Sequence, residues 1–289
     1  MKPVEKFVES WLPLKFDNHL ANTVEDIDRN IEYALSRNFT PLQALIGTKS
    51  GAVAIVGSGP SLKETWQELK RFKGDIMACN ASSQFLLARG IVPTYMMCFD
   101  ADPLMLEFIT PHPDITYLLA SRCPQKAFEL LEGCKIICWH AGGDEHLDDI
   151  LSKHRRAEPM VSGGTAAVTR AMVLAEPMGY KEIHLWGADS SFHNGDTHIR
   201  QSTTKERMML VTCGARQFWC SPWMALQAED FRILVPPMRS RYGIKFVVHG
   251  DGLIPHIARI MGIEVYGEWK GKHIWRHAKY NAQMVWANL

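Results

Sequence analysis

The chain of 289 residues is 46% hydrophobic, which is enough to bury a substantial core as one large α/β domain or as one domain with added segments. Its 32 basic and 31 acidic residues leave a formal net charge of +1, which gives no support to nonspecific binding of nucleic acid or of membrane surfaces. The sequence has neither an apolar run long enough to span a bilayer nor the hydrophobic core of a secretion signal, so we expect a cytoplasmic protein without a membrane span.

Residues 1–48 are predicted to form a helical N-terminal segment, because apolar residues recur there at the spacing of one helix face. Asn22 or Thr23 is suited to cap that helix. The rest of the chain is predicted to divide into one domain over residues 49–265 and a C-terminal extension over residues 266–289. The extension is rich in Trp, Lys, His and Arg, and two roles stay open for it: packing on the domain, or self-association into a homo-oligomer.

Residues 51–63 predict a buried strand, a glycine turn and the start of a helix. The continuous apolar run over Ala52–Val56 is typical of a parallel strand that is covered on both faces. Gly57 and Gly59 are expected to give the backbone a positive φ and to let a ligand approach closely. The glycine turn is therefore predicted to be a ligand-binding loop.

The helix after this turn would place free backbone N–H groups where an anion can bind, near Ser58, Ser61 and Leu62. The spacing fits neither of two common phosphate-binding motifs. Pro60 and Ser61 stand where a Walker loop needs lysine followed by serine or threonine, and Leu62 stands where the dinucleotide fingerprint needs its third glycine. A turn that only joins strand to helix is therefore the alternative to phosphate binding.

The strand predicted over Asp75–Cys79 is followed by the polar residues Asn80 and Ser82. An amide and a hydroxyl at this point would lie at the carboxyl end of a parallel strand, where open α/β sheets bind ligands. The alternative is that Asn80 or Ser82 only caps the next helix.

A pair of carboxylates, Asp100 and Asp102, follows the strand predicted over residues 94–99. Residues two apart in an extended chain share one face, so the two carboxylates can converge on one cation, and a Mg²⁺ ion carried in by a nucleotide would fit. The alternative is an ordinary helix start, in which Asp102 is the N-cap and Pro103 takes the first helical position.

A second glycine stretch opens the helix predicted over residues 166–176, and it consists of Ser162, Gly163, Gly164 and Thr165. It again supplies backbone N–H groups at a helix N-terminus, so it predicts a second anion site. Further along the chain, residues 203–232 are predicted to be helical and residues 244–248 to form a late strand.

A strand predicted over residues 181–186 leads to Asp189 and then to a loop that contains His193 and His198. Histidine titrates near neutral pH and aspartates stand in the same loop, so these groups are suited to proton transfer. The alternative is a solvated loop whose histidines have no chemical role.

Taken in order, these motifs resemble one family, that of the archaeal 6-hydroxymethylpterin diphosphokinases (MptE-like) and the bacterial flagellin motility accessory factors. They are also similar to the CMP-sialic-acid-dependent bacterial sialyltransferases with a Rossmann-like fold. The resemblance is carried by residues 56–62, Cys79 and Asn80, residues 91–95 leading to Asp100, residues 162–165, residues 187–189 and residues 195–198. It implies a Rossmann-like α/β fold with a mostly parallel sheet and helices on both faces.

The resemblance implies a nucleotide-dependent transferase and assigns its site residues. The nucleotide pocket would be lined by Gly57, Ser58, Gly59, Ser61 and Asn80, and the phosphates would be held by Ser162, Gly163, Gly164 and Thr165. In the diphosphokinase branch, Asp100 and Asp102 would bind the Mg²⁺ of Mg-ATP.

Three functions follow as hypotheses. The first is glycosyl transfer from a CMP-type sugar to a hydroxyl acceptor, in which His198, or else His193, takes the acceptor proton and Asp189 belongs to the same catalytic set. The second is Mg-ATP-dependent transfer of diphosphate to a hydroxymethyl group, on a pterin or another molecule. The third is nucleotide binding without catalysis.

Overall fold

The computed structural model describes residues 22–193, 198–199 and 209–267, in which strands and helices alternate along the chain. The strands are β1 (Thr40–Pro41), β2 (Ala52–Val56), β3 (Asp75–Cys79), β4 (Tyr95–Cys98), β5 (Thr116–Ala120), β6 (Lys135–Ala141), β7 (Met160–Val161), β8 (Glu182–Trp186), β9 (Met209–Cys213), β10 (Arg216–Cys220), β11 (Lys245–His249) and β12 (Glu264–Tyr266). The helices are α1 (Val24–Ser36), α2 (Leu62–Leu69), α3 (Ser82–Leu87), α4 (Gln125–Leu130), α5 (Leu147–Lys153), α6 (Ala167–Met178), α7 (Pro222–Tyr242) and α8 (Leu253–Ile260).

One parallel sheet organises the described part of the chain. Its strand order is β1-β6-β5-β4-β3-β2-β8-β11-β12, with β7 also paired to β6. From β2 to β6 each new strand is added on one side, and the chain then returns through α6 so that β8 pairs with the other side of β2. The direction of strand order therefore reverses between β2 and β8. In open α/β sheets this reversal leaves a crevice at the carboxyl ends of the two strands.

Both faces of the sheet are covered by helices, as the sequence predicted. Val53 and Ile55 of β2 pack into the same cluster as Ala171 of α6, whereas Ala54 and Val56 pack with Leu62 at the start of α2. Successive residues of a strand point to opposite faces, so the two clusters lie on opposite sides of the sheet. The continuous apolar run of β2 is thus explained by a strand that is buried on both sides.

The N-terminal helix α1 begins where the sequence predicted. Thr23 is its N-cap and accepts a hydrogen bond from the backbone N–H of Asp26 at 3.2 Å. Ile27 and Ile31 of α1 pack against Leu147 and Ile150 of α5. The next strand, β1, pairs with β6. The N-terminal segment therefore adds a strand to the main sheet and a helix that packs beside it.

The helix predicted over residues 203–232 is wrong in its middle part. Residues 209–220 form an antiparallel hairpin of β9 and β10, and helix α7 begins at Pro222 after the N-cap Ser221. Burial alternates along both hairpin strands, which is the period of a strand and not of a helix. The alternation and the turn at Gly214 favour a hairpin over a helix.

None of the helices built from the described residues combines the length and the apolar character that a bilayer crossing requires.

Candidate functional site

A cleft of about 150 Å³ opens at the carboxyl ends of β2 and β8, where the strand order reverses. It lies where the rule for open α/β sheets predicts a ligand. Four residues of the predicted nucleotide pocket and one predicted catalytic histidine line it: Gly57, Ser58, Gly59, Asn80 and His198. The remaining lining residues are Cys79, Ala166, Ala167, Val168, Gly187, Asp189, Ser190, Met224 and Gln227.

The glycines of the first turn line the cleft, but without the predicted backbone conformation. Neither Gly57 nor Gly59 is among the residues with positive φ, so that expectation is wrong. The reason for glycine is close contact with the loop after β8. A Cβ atom at Gly57 would lie 2.5 Å from the carbonyl oxygen of Gly187, and one at Gly59 would lie 2.7 Å from the same oxygen. The two loops that form the floor of the cleft are thus in backbone contact.

A buried carboxylate, that of Asp189, holds the start of helix α2. Its oxygens accept hydrogen bonds from the backbone N–H of Ser61 at 2.7 Å and from the Ser61 hydroxyl at 2.5 Å. Asp189 is 2% exposed, and burial raises its pKa to about 7 although the two Ser61 hydrogen bonds lower it. Two of the N–H groups predicted to be free are therefore in use, since that of Leu62 donates to the carbonyl of Gly59. Asp189 thus stabilises the conformation of the loop that precedes α2.

Asn80 offers unused hydrogen-bonding capacity to the cleft. Its Oδ1 atom is buried and has no hydrogen-bond partner among the described residues. Asn80 has a φ of 50° and Ser190, also in the cleft wall, a φ of 49°, a left-handed conformation that is uncommon outside glycine. Such conformations concentrate at functional sites, because the surrounding structure has to hold them in place.

The alternative in which Asn80 or Ser82 caps the next helix is not what the structure shows. The N-cap of α3 is Ala81, without a side-chain capping bond. The Ser82 hydroxyl instead accepts from the N–H of Cys79 at 3.0 Å and donates to the carbonyl of Val56 at 2.7 Å. Ser82 therefore ties the ends of β2 and β3 together, and Asn80 is left to face the cleft.

The second glycine stretch stands beside the cleft and shapes the start of α6. Gly163 and Gly164 have φ of 100° and 80°, which only glycine adopts easily. The N–H and the hydroxyl of Thr165 both donate to one carboxylate oxygen of Asp230, each at 2.6 Å. The cleft wall itself is made by the residues that follow: Ala166, Ala167 and Val168. In the described structure, the predicted phosphate-binding residues 162–165 thus precede the wall and do not line it.

Of the two predicted histidines, the structure places His198 at the cleft. It is half-buried in the wall, and the next residue, Ile199, donates its N–H to the carbonyl of Ser58 at 2.8 Å. His193 points elsewhere, with its Nε2 atom 3.7 Å from Glu64 on helix α2. The rest of the predicted Gly-Asp-Thr-His motif, residues 195–197, lies outside the described residues.

The predicted metal pair lies apart from this cleft. The carboxylate of Asp100 accepts from the N–H of Asp102 at 3.1 Å, and that of Asp102 accepts from the N–H of Leu104 at 2.9 Å. Asp102 is the N-cap of a short helix with Pro103 in its first turn, so the helix-start reading is confirmed. Within the residues described, no group of three His, Cys, Asp or Glu side chains is placed to hold a metal ion. Binding of Mg²⁺ by this pair stays a prediction.

Eight of the described lining residues were not predicted as site residues, and three of these lie outside both the recognised motifs and the start of α6. Ser190 follows Asp189 directly, and its hydroxyl donates to Oε1 of Gln227 at 2.9 Å. Gln227 and Met224 reach the cleft from helix α7. Ser190 could have been found from its place beside Asp189. The two residues of α7 carry no local signal, because only the fold brings that helix to the cleft.

A family model described as 6-hydroxymethylpterin diphosphokinase MptE-like matches residues 25–195, which is more than half of the chain. None of the curated proteins matches the chain.

Among solved structures, the MAf glycosyltransferase from Magnetospirillum magneticum AMB-1 is similar, with a TM-score of 0.61 and 17% identity over 90% of this chain. The chain spans only 40% of the length of that protein. A mammalian sialyltransferase matches with a TM-score of 0.39 and 13% identity, covering 84% of this chain and 85% of its own. The sialyltransferase Cst-I from Campylobacter jejuni matches with a TM-score of 0.32 and 13% identity, covering 68% and 74%. The first of these likenesses confirms the predicted fold class.

Proposed function

We propose that the chain is a nucleotide-dependent transferase, because it belongs to the 6-hydroxymethylpterin diphosphokinase MptE-like family and has a cleft at the strand-order reversal. The family membership confirms the resemblance inferred from the order of the motifs. The proposed reaction is glycosyl transfer from a nucleotide-activated sugar of the CMP type to a hydroxyl acceptor.

The observation that carries this proposal is the presence of His198 and of the α6 N-terminus in one cleft. The first N–H groups of a helix have no partner within the helix and attract negative charge. The groups of Ala167 and Val168, at the start of α6, are therefore placed to receive the phosphate of a leaving nucleotide. His198 supplies the other requirement, a base for the acceptor hydroxyl.

In the proposed reaction, the acceptor oxygen forms a new bond to the anomeric carbon of the sugar. The bond from that carbon to the nucleotide phosphate breaks, and the phosphate keeps the electron pair. His198 takes the proton that the acceptor hydroxyl loses. The N–H groups at the start of α6 then stabilise the negative charge that grows on the phosphate. The orphan amide oxygen of Asn80 is placed to accept a hydrogen bond from the nucleoside.

The alternative is Mg-ATP-dependent diphosphate transfer, which the description of the family favours. In that reaction Asp100 and Asp102 would have to turn from their own backbone N–H groups toward a cation. The carboxylates of a Mg²⁺ site also need phosphate oxygens within reach, and this pair is not part of the cleft wall in the described structure.

A thermal-shift panel of CMP, CDP, UDP, GDP, AMP and ATP, each with and without Mg²⁺, separates the hypotheses. A ligand that binds only the folded state stabilises it by about 2.7 kcal/mol at a hundred times its Kd. We expect CMP to raise the melting temperature whether or not Mg²⁺ is present. Stabilisation by ATP only with Mg²⁺ would favour the diphosphokinase reaction, and no shift with any nucleotide would refute nucleotide binding.

Substitution of His198 tests its role as the base. His198→Ala is expected to lower the release of CMP from a CMP-linked acidic sugar in the presence of an acceptor by about 10²–10⁴-fold, while CMP binding stays unchanged. His193→Ala is the matched control, because His193 faces Glu64 and not the cleft, and it should keep its turnover. Turnover that survives in His198→Ala would exclude the base role. Binding of CMP without turnover by the unaltered protein, against a broad acceptor panel, would favour a non-catalytic nucleotide-binding protein.

A further inference from the structure

Two arginines meet over one aromatic ring at the carboxyl edge of the sheet, outside the nucleotide cleft. Arg122 follows β5 and Arg170 lies in the first turns of α6. The central carbon of each guanidinium is close to the centroid of the Phe99 ring, at 5.2 Å for Arg122 and 4.8 Å for Arg170. Phe99 follows β4, and the carboxylate of Asp144 follows β6. Residues from four elements, β4, β5, β6 and α6, thus meet around the two positive charges.

The positive charge of this pair is only partly balanced. Arg122 forms an ion pair with Asp144 at 2.8 Å. Arg170 is 6% exposed, yet among the described residues it forms no ion pair, and its side chain donates only to the carbonyl of Val161. Burying a charge is costly, which is reflected in the pKa of Arg170: burial, and then the charge of Arg122, lower it, although the charges of Asp144 and Asp230 raise it.

Buried donor atoms of the pair also lack partners. The Nε atoms of Arg122 and Arg170 are both buried without a hydrogen bond within the described part of the chain, and so is one oxygen of Asp144. Of the nearby carboxylates, Asp230 accepts from Thr165 and Asp28 from His146, while Oδ1 of Asp28 is buried without a hydrogen bond within the described part of the chain. Unused guanidinium donors beside one ring fit an oxyanion, because a carboxylate or a phosphate accepts several such bonds at once.

The pair is well placed for a second substrate. Ala167 lines the nucleotide cleft, and Arg170 lies one helical turn further along α6, with its side chain inclined toward the helix N-terminus. Phe99 follows β4, which lies two strands from β2, a separation of about 10 Å across a sheet. The arginine pair and the cleft therefore both lie near the α6 N-terminus, at the same edge of the sheet.

We propose that Arg122 and Arg170 form an oxyanion site that binds a carboxylate or phosphate group of the second substrate. The identity of the ligand as a second substrate rests on the proposed transferase function, whereas the binding of an oxyanion does not. The site adds a requirement to that function: the group that enters beside the nucleotide carries negative charge.

Calorimetric titration with inorganic phosphate, and separately with acetate, tests the site at fixed ionic strength. Arg122→Gln is expected to lower the affinity for the anion by about tenfold or more, because one charge-assisted hydrogen bond is lost. Arg170→Lys should weaken it as well, because an ammonium group cannot reproduce the guanidinium fork. Arg89→Gln is the matched control, since Arg89 also packs on aromatic rings, at 3.4 Å from the Phe85 centroid, and it should bind as the unaltered protein does.

The outcomes separate the oxyanion site from the proposed function. Circular dichroism and thermal melts establish whether each variant is folded. If Arg170→Lys does not fold, Arg122→Gln alone tests the site, because Arg122 is the more exposed of the two residues. Phosphate binding without acetate binding identifies a phosphate group, and the reverse identifies a carboxylate. Equal affinity in Arg122→Gln and the unaltered protein, or no binding of either anion, would overturn the site. A separate titration with CMP tests nucleotide binding. If CMP does not bind but an anion does, the nucleotide proposal fails and the oxyanion site stands.

Discussion

Asp189→Asn is expected to remove a large part of the pH dependence of folding between about pH 4 and pH 7. The carboxyl group titrates near 3.9 in an unfolded chain, and burial raises its folded pKa to about 7. Over that interval the folded state keeps a proton that the unfolded state has lost. Stability from this group is therefore complete below about pH 4 and is lost as the pH rises through 7. Three pKa units correspond to about 4 kcal/mol.

Urea denaturation of both proteins at several pH values measures the difference. Asparagine does not titrate, so the free energy of unfolding of the unaltered protein should fall relative to that of the variant as the pH is raised, by up to about 4 kcal/mol. All other titrating groups are common to the two proteins and cancel in the comparison. A difference that stays constant with pH would refute the reasoning. A difference of opposite sign would mean that the two hydrogen bonds from Ser61 outweigh burial and keep Asp189 ionised.

Two further substitutions test the packing of the sheet edge. Gly57→Ala should lower the free energy of unfolding by about 1–3 kcal/mol in urea denaturation and weaken nucleotide binding, because the new Cβ atom meets the Gly187 carbonyl oxygen at 2.5 Å. Ser58→Ala is the control for stability, and equal urea midpoints for Gly57→Ala and the unaltered protein would contradict the loop contact. Burial lowers the pKa of His249 to about 4, so its ring should stay neutral from pH 7 to 5 in an NMR titration, assigned with His249→Gln. Protonation of His249 near pH 6.5 would show that burial has no such effect. Since the unfolded chain takes up this proton more readily, acidification from about pH 6.5 to 4 should destabilise the fold.

The part of the fold that repeats along the chain was predictable from the sequence. Buried parallel strands produce continuous apolar runs, and the loops after these runs place polar groups at one edge of the sheet, so Asn80 and His198 were predicted near the edge where the cleft opens. What failed depends on contacts between distant segments. The hydrogen bonds between Asp189 and Ser61 join residues 128 positions apart, and Gln227 reaches the cleft only because α7 packs there. Gly57 was singled out from the sequence, but the reason why this position requires glycine is contact with the backbone of a second loop, which the local sequence does not reveal.

The two glycine turns, which look equivalent in sequence, differ in what they leave for a ligand. At the start of α2, the carboxyl group of Asp189 is buried and accepts from both the N–H and the hydroxyl of Ser61, so that helix end is already occupied by a side chain of the protein. At the start of α6, Asp230 engages Thr165 before the first helical residue, and the helix proper begins at Ala167 in the cleft wall. In the proposed transferase, α2 therefore fixes the loop, while α6 receives the phosphate. In the proposed reaction, Asp189 is accordingly a positioning residue and His198 is the proposed base.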